Sequence, residues 1–117
     1  MAQPLELRKR LLAYALSLPE AYLDHPWGED VVKVRKKVFV FFGMSENPEY
    51  PPGMTVKLVD SQPLALAQPG VEPSGYNLGK SGWVSVRFSS DLPFEMLRDW
   101  VDESYRAVAP KTLGTRS

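Results

Sequence analysis

The chain has 117 residues and a mass of 13.2 kDa, a length that favours one domain. Its 14 basic and 14 acidic residues give a formal net charge of +0, which excludes a uniformly basic nucleic-acid binder but not a local basic patch. The absence of cysteine excludes disulfide scaffolds, cysteine-based zinc sites and thiol nucleophiles, and it suits a reducing cytoplasm. No stretch has the pattern expected of a signal peptide or a membrane span, so we expect a cytoplasmic protein.

The first predicted element is an amphipathic helix that ends before Pro19, which disfavours helical structure at the residue preceding it. Its apolar face consists of Leu7, Leu11, Tyr14, Ala15 and Leu18. The stretch 20–30 is predicted to be irregular. The β-branched and aromatic runs 31–34 and 38–42 then predict a hairpin, with Arg35, Lys36 and Lys37 as a basic tip.

A third strand is predicted over 54–59, and Ser61 is expected to cap a short helix that ends near Gln68. After a loop over 71–82, the run 83–88 predicts another strand. Asp91 is a candidate N-cap for a last helix over 92–108, whose apolar stripe is Phe94, Leu97, Val101, Tyr105 and Val108. These elements predict a single α+β domain over 1–117, with an antiparallel sheet of about five strands and helices packed on one face. The ordered core is expected over about 4–108, with a flexible tail over 109–117.

Charge is unevenly distributed along the chain. Residues 31–90 carry a net charge of +3, whereas residues 20–30 and residues 91–105 each carry −4. Basic hairpins beside an exposed aromatic ring can contact the backbone of a nucleic acid. The candidate contact residues are Lys33, Arg35, Lys36, Lys37, Lys57, Lys80, Trp83 and Arg87.

Enzymatic chemistry has little support in the sequence. The run 75–81 lacks one residue of the phosphate-binding loop spacing and precedes a predicted strand where that loop needs a helix. His25 is the only histidine, and no paired histidine ligands accompany Asp24, Glu29 and Asp30. We therefore expect a non-enzymatic protein with no metal and no cofactor, although a small-molecule site near His25, Trp27 and Lys80 is an alternative.

Several short motifs occur in an order and spacing that resemble the MmcQ/YjbR-like family. They cover almost the whole chain, from about Leu7 to Val108, and consist of His25-Pro26-Trp27-Gly28, the block 75–86, Leu92-Pro93 and the run 101–105. The resemblance implies a CyaY-like or secretion-chaperone-like α+β fold, and DNA binding in a double-wing mode. It also implies that His25, Pro26, Trp27, Gly28, Lys80 and Trp83 occupy family positions.

The chain departs from this family pattern in the second block. Many members have His-Leu-Asn-Lys-x-His-Trp there, whereas Asn77, Gly79 and Gly82 stand at the positions of the first His, the Asn and the second His. Polar groups that could contact a ligand are therefore missing, and the two glycines are expected to make the turn more flexible.

Two functions remain in competition. The leading hypothesis is a small DNA-binding protein of low sequence specificity, in which basic hairpins contact phosphates. The alternative is a protein-interaction or chaperone-like module that uses an exposed sheet face or the acidic side of the last helix. On that helix Asp99, Asp102 and Glu103 lie three and four residues apart and are expected to face solvent or a basic partner.

Overall fold

A computed structural model describes residues 4–25, 30–42, 53–73, 82–88 and 92–109. The elements follow the order α1 (Pro4–Leu16), β1 (Tyr22–Asp24), β2 (Asp30–Val34), β3 (Lys37–Phe42), β4 (Gly53–Lys57), α2 (Gln62–Leu66), β5 (Val71–Pro73), β6 (Trp83–Arg87) and α3 (Phe94–Val108). The strands form one sheet in the order β1-β2-β3-β4-β6-β5, and every neighbouring pair is antiparallel. The predicted α+β single-domain architecture is thus confirmed.

Strand register separates the two faces of the sheet. Val40 lies opposite Val32 on one side and opposite Val56 on the other, and Val56 lies opposite Val84. All four valines are fully buried in a core to which α1, α2 and α3 also contribute. Because side chains alternate along a strand, the neighbouring residues point to the opposite side, which we call the outer face. The outer face includes Lys33, Phe41, Thr55, Lys57, Trp83 and Ser85.

The helices use the predicted apolar positions. Leu7, Leu11 and Ala15 of α1 are buried in the core, and so are Leu97, Val101 and Tyr105 of α3. Trp100 is also buried, although the predicted stripe omitted it. The buried surface of α3 is therefore wider than the predicted apolar stripe, because the helix packs against both the sheet and α1.

Within the described residues the sheet has six strands, whereas about five were predicted. The sequence missed β1 and β5, which have three residues each and form the two edges of the sheet. Strands this short give no readable alternation of polar and apolar residues, and β5 ends on a proline, which is tolerated at an edge. The last helix begins at Phe94 with Pro93 at the N-cap position, two residues later than predicted. Asp91, the predicted cap, lies outside the described residues.

Ser104 joins α3 to the sheet. Its hydroxyl donates to the carbonyl oxygen of Phe39 and accepts the backbone N–H of Lys57 at 2.8 Å. The β3–β4 register ends at Val40 opposite Val56, so Phe39 and Lys57 are the next opposed residues. The serine hydroxyl therefore bridges two backbone groups at the point where the ladder between the strands stops.

Candidate functional site

The tip of the β2–β3 hairpin is a two-residue turn formed by Arg35 and Lys36. Both have positive φ angles, of 51° and 70°, although neither is glycine. Two successive residues in this region match the twist of a tight hairpin, which Asn-Gly normally provides. Lys37, predicted as part of the tip, instead begins β3 and lies opposite Val34.

A bulge in the hairpin changes which side chains share a face. The register places Val32 opposite Val40 but Lys33 opposite Val38, so Phe39 is an additional residue on β3. Lys33 therefore lies on the outer face, whereas Lys37 lies on the side that its partner Val34 occupies. Uninterrupted alternation from residue 33 to residue 37 would put Lys33, Arg35 and Lys37 on one side, but the two-residue turn pairs Lys37 with Val34 and so places it on the other side from Lys33.

Two cations of the hairpin are paired with carboxylates of the acidic stretch 20–30. Lys33 Nζ lies 2.8 Å from Asp24 Oδ2, and this hydrogen bond lowers the pKa of Asp24 and raises the pKa of Lys33. Arg35 donates to both carboxylate oxygens of Glu20, at 2.6 and 3.1 Å, and thereby lowers the pKa of Glu20. Lys33 and Arg35 thus add little net positive charge to the surface around them.

Arg87 is a third paired cation, at the opposite end of the sheet. Its Nη2 atom lies 3.2 Å from Glu72 Oε2 on the neighbouring strand β5. Among the candidate cations that the structure describes, only Lys36, Lys37 and Lys57 have no carboxylate within ion-pairing distance.

These three lysines lie at the same end of the sheet as Trp83, with Lys57 and Trp83 on the outer face and Lys37 on the opposite face. Lys36 and Lys37 lie at the β2–β3 turn, and Lys57 is the last residue of β4, which runs antiparallel to β3. Trp83 is the first residue of β6 and lies directly opposite Lys57. We call the group Lys36, Lys37, Lys57 and Trp83 the basic end. Its unpaired charge is +3 within a chain whose net charge is zero.

Trp83 lies on the outer face and is partly exposed, so it is not a core residue. Its indole meets the ring of Phe41 at a centroid distance of 5.6 Å and an interplanar angle of 68°. Sequence reasoning missed Phe41 as a surface residue, because the bulge at Phe39 hides the alternation of β3.

His25 lies at the end of β1, away from the basic end. Its backbone N–H donates to Asp24 Oδ1 at 2.8 Å, and its Nδ1 atom lies 2.9 Å from Asp30 Oδ1. The other oxygen of Asp30 accepts a hydrogen bond from Arg8 at 2.6 Å. These contacts link β1, β2 and α1 and support a structural role for His25. Pro26, Trp27, Gly28 and Lys80, the other predicted motif residues, lie outside the described residues.

Gly82 is required by a close approach of two backbone segments. Its φ is +97°, and a Cβ atom at this position would lie 2.8 Å from the carbonyl oxygen of Leu58. The Leu58 N–H donates to the Gly82 carbonyl oxygen at 2.9 Å. Gly82 itself therefore makes a fixed backbone contact. Asn77 and Gly79 lie outside the described residues.

The acidic side of α3 is largely engaged within the molecule. Glu103 accepts hydrogen bonds from the backbone N–H groups of Asp60 and Ser61, at 2.8 and 3.0 Å, and from the Ser61 hydroxyl at 2.7 Å. Asp102 accepts from Tyr14 at 3.3 Å and lies 3.4 Å from Arg106. The expectation that these two carboxylates face solvent is therefore wrong. The side chain of Asp99 is 70% exposed, as expected from the sequence.

Two further findings concern the residues that the structure describes. No group of three histidine, aspartate or glutamate side chains among them is arranged to hold a metal ion. None of their helices is long and apolar enough to cross a membrane.

Comparison with known proteins identifies relatives of this chain. The YjbR family profile matches residues 16–107. YbdF of Escherichia coli O157:H7, described as uncharacterised, is 32% identical over 107 residues, which cover 88% of this chain and 82% of YbdF.

Two solved structures are similar in fold. A protein from Deinococcus radiodurans has a TM-score of 0.71 at 24% identity, over 92% of this chain and 81% of its own. A protein from Pseudomonas syringae has a TM-score of 0.70 at 17% identity, over 86% of this chain and 97% of its own. Both likenesses agree with the α+β architecture, and the profile match extends over most of the sequence: the chain belongs to the YjbR family.

Proposed function

We propose that the chain binds DNA or another nucleic acid weakly and without sequence specificity, through the basic end. The observation that carries the proposal is the position of the unpaired cations. Lys36, Lys37 and Lys57 lie at the same end of the sheet as the partly exposed Trp83, whereas Lys33, Arg35 and Arg87 are paired with carboxylates. Lysines without a carboxylate partner are available to neutralise phosphates.

The number of unpaired lysines sets the expected strength. Each phosphate neutralised contributes a slope of about −0.9 to the dependence of log K on log salt for duplex DNA, and about −0.7 for a single strand. Three contacts therefore predict a slope of roughly −2 to −3. Such binding is detectable at low salt and largely lost near physiological salt.

Fluorescence anisotropy with labelled oligonucleotides tests the proposal, over about 50 to 200 mM salt. The triple variant Lys36→Ala, Lys37→Ala, Lys57→Ala should lose most of the affinity and most of the salt dependence. Lys57→Gln and Lys9→Gln form a matched pair, because each removes one positive charge. Lys9 is the control, since it lies exposed on α1 and outside the basic end. Only Lys57→Gln should weaken binding. Absence of binding at the lowest salt, or equal effects of the two glutamine variants, would contradict the proposal.

A protein-interaction function is the second candidate. Val59 and Leu64, in the segment from the end of β4 into α2, are 64% and 60% exposed. Val59 also lines a groove of about 330 Å³, together with Asp60, Glu103, Arg106 and Ala107. Under this proposal a specific protein should be recovered by the wild-type chain and lost with Val59→Ser, Leu64→Ser. Recovery of the same proteins by both forms would count against it.

Neither candidate function requires a catalytic group or a cofactor, and for both we propose a cytoplasmic location. The absence of cysteine among the 117 residues supports that location, since the chain needs no oxidising compartment to form disulfides.

A further inference from the structure

The rings of Phe41 and Trp83 meet above the central strand β4. Phe41 belongs to β3 and Trp83 to β6, and these two strands flank β4 in the sheet. The side chains nevertheless approach to a centroid distance of 5.6 Å. Both rings must therefore lean inward over β4, and both remain partly exposed on the outer face. The three helices pack against the other side of the sheet.

Polar groups surround this aromatic pair. Lys57 lies opposite Trp83, and Thr55 lies opposite both Phe41 and Ser85 in the register. The hydroxyls of Thr55 and Ser85 lie 3.2 Å apart and form a hydrogen bond with each other. The outer face thus combines an apolar ring surface, an adjacent primary amine without a carboxylate partner, and two hydroxyls.

We propose that Trp83, in T-shaped contact with Phe41, is a stacking site for an unpaired nucleobase whose adjacent phosphate is neutralised by Lys57. This inference rests on the proposed nucleic-acid binding and adds a preference for single strands. Every base has a flat π-face that can stack on an aromatic ring, whatever its sequence. In a duplex that face is already stacked against the neighbouring bases, so duplex DNA can use only the lysines.

The role of Phe41 follows from the angle between the rings. A T-shaped contact directs the edge of one ring at the face of the other and fixes the orientation of both. The indole therefore has little orientational freedom to lose when a base stacks on it. Lys57, on the neighbouring strand, is positioned to select the phosphate of the same nucleotide.

Anisotropy titrations with labelled oligothymidylate and with its duplex test the inference at low salt. Wild-type protein should bind the single strand more tightly. Trp83→Leu should weaken single-strand binding by roughly tenfold, in line with the usual loss for a stacked base, and leave duplex binding nearly unchanged. Trp83→Phe should retain most of the affinity. Tyr22→Leu is the matched control, because Tyr22 is an exposed aromatic residue on the edge strand β1 and should have no effect.

An abasic strand of equal length makes the test independent of folding in the variants, because it keeps the phosphates but removes every stacking partner. Wild-type protein should bind it about as weakly as Trp83→Leu binds oligothymidylate. Equal affinity for the abasic strand, oligothymidylate and duplex would overturn the inference while leaving phosphate binding at the basic end intact. Failure to bind any of the three would instead overturn the proposed function, so the two failures are distinguishable.

Discussion

Ser104 shows how one buried hydroxyl can decide the stability of a helix–sheet contact. It is fully buried and bonds to the Phe39 carbonyl and the Lys57 N–H, both of which otherwise lack a ladder partner at that position. Ser104→Ala should lower the free energy of unfolding by roughly 1–3 kcal/mol, because it leaves buried polar groups without hydrogen bonds. Urea denaturation measures this as a lower midpoint at an unchanged slope.

Ser17→Ala is the control for that substitution. Ser17 is exposed, and its hydroxyl bonds only to the carbonyl of Tyr14 one turn earlier. Its loss should change stability by no more than about 0.5 kcal/mol. Equal effects of the two alanine variants would show that the Ser104 bridge contributes nothing. Helical periodicity places position 104 on the buried side of α3, seven residues after Leu97 and three after Val101. It does not show which backbone groups the serine hydroxyl bonds.

Glu103 should make stability depend on pH. Burial raises the pKa of its carboxyl, but hydrogen bonds from Ser61 and from the backbone of residues 59–61 outweigh that effect and leave the pKa below its ordinary value. The resulting stabilisation is therefore complete above the unfolded-state pKa and lost as the pH falls through the folded-state pKa. Glu103→Gln should cost about 1 kcal/mol at neutral pH, comparable with the loss of a helix cap.

The pH profile separates this role from a general effect of charge. The difference between wild type and Glu103→Gln should shrink as the pH falls through the acid range. Asp99→Asn, on the exposed side of the same helix, should cost less at neutral pH. A Glu103→Gln difference that does not change with pH would contradict the proposed hydrogen bonding of the carboxylate.

The β2–β3 hairpin combines local strain with the proposed binding site. Lys36 has a φ of 70°, which glycine tolerates and lysine does not favour. Lys36→Gly should therefore raise the free energy of unfolding by about 1 kcal/mol, while it removes one phosphate contact and weakens DNA binding. Thermal denaturation and anisotropy on the same variant measure the two effects. Lys36→Gln, which removes the charge but keeps a side chain, should weaken binding without raising stability; improved stability in both variants would exclude backbone strain as the cause.

The elements differ in how far the sequence could predict them. The two long helices, the β2–β3 hairpin and strands β4 and β6 have apolar patterns, and all of them occur close to the predicted positions. The edge strands β1 and β5 depend on pairing with a longer neighbour, which local sequence does not show. The faces on which Lys33 and Lys37 lie depend on the two-residue turn between them, and the face on which Phe41 lies depends on the bulge at Phe39. The cations and the acidic stretch 20–30 were visible in the sequence, but the individual pairs Lys33–Asp24 and Arg35–Glu20 were not.

On the scale of the whole molecule, neutrality arises from pairing between segments that are distant in the sequence. Three carboxylates of the acidic stretch 20–30 form ion pairs with Lys33, Arg35 and Arg8. Cations of the hairpin and of α1 therefore neutralise much of the negative charge of this stretch. Among the candidate cations that the structure describes, those without a carboxylate partner are confined to the basic end. A net charge of zero is therefore compatible with a small, localised positive surface. Because that surface has few cations, it can neutralise only a few phosphates of a nucleic acid.

The same ion pairs predict a gain of affinity on removing carboxylates. Glu20→Gln together with Asp24→Asn should release Arg35 and Lys33 beside the basic end and raise the number of available cations from three to five. Two further phosphate contacts would steepen the salt slope by roughly 1.4 for a single strand, and affinity at low salt should rise accordingly. Glu95→Gln with Asp99→Asn removes the same charge from α3 and should change the slope little. A response of equal size in both double variants would mean that net charge, and not the geometry of the hairpin, governs binding.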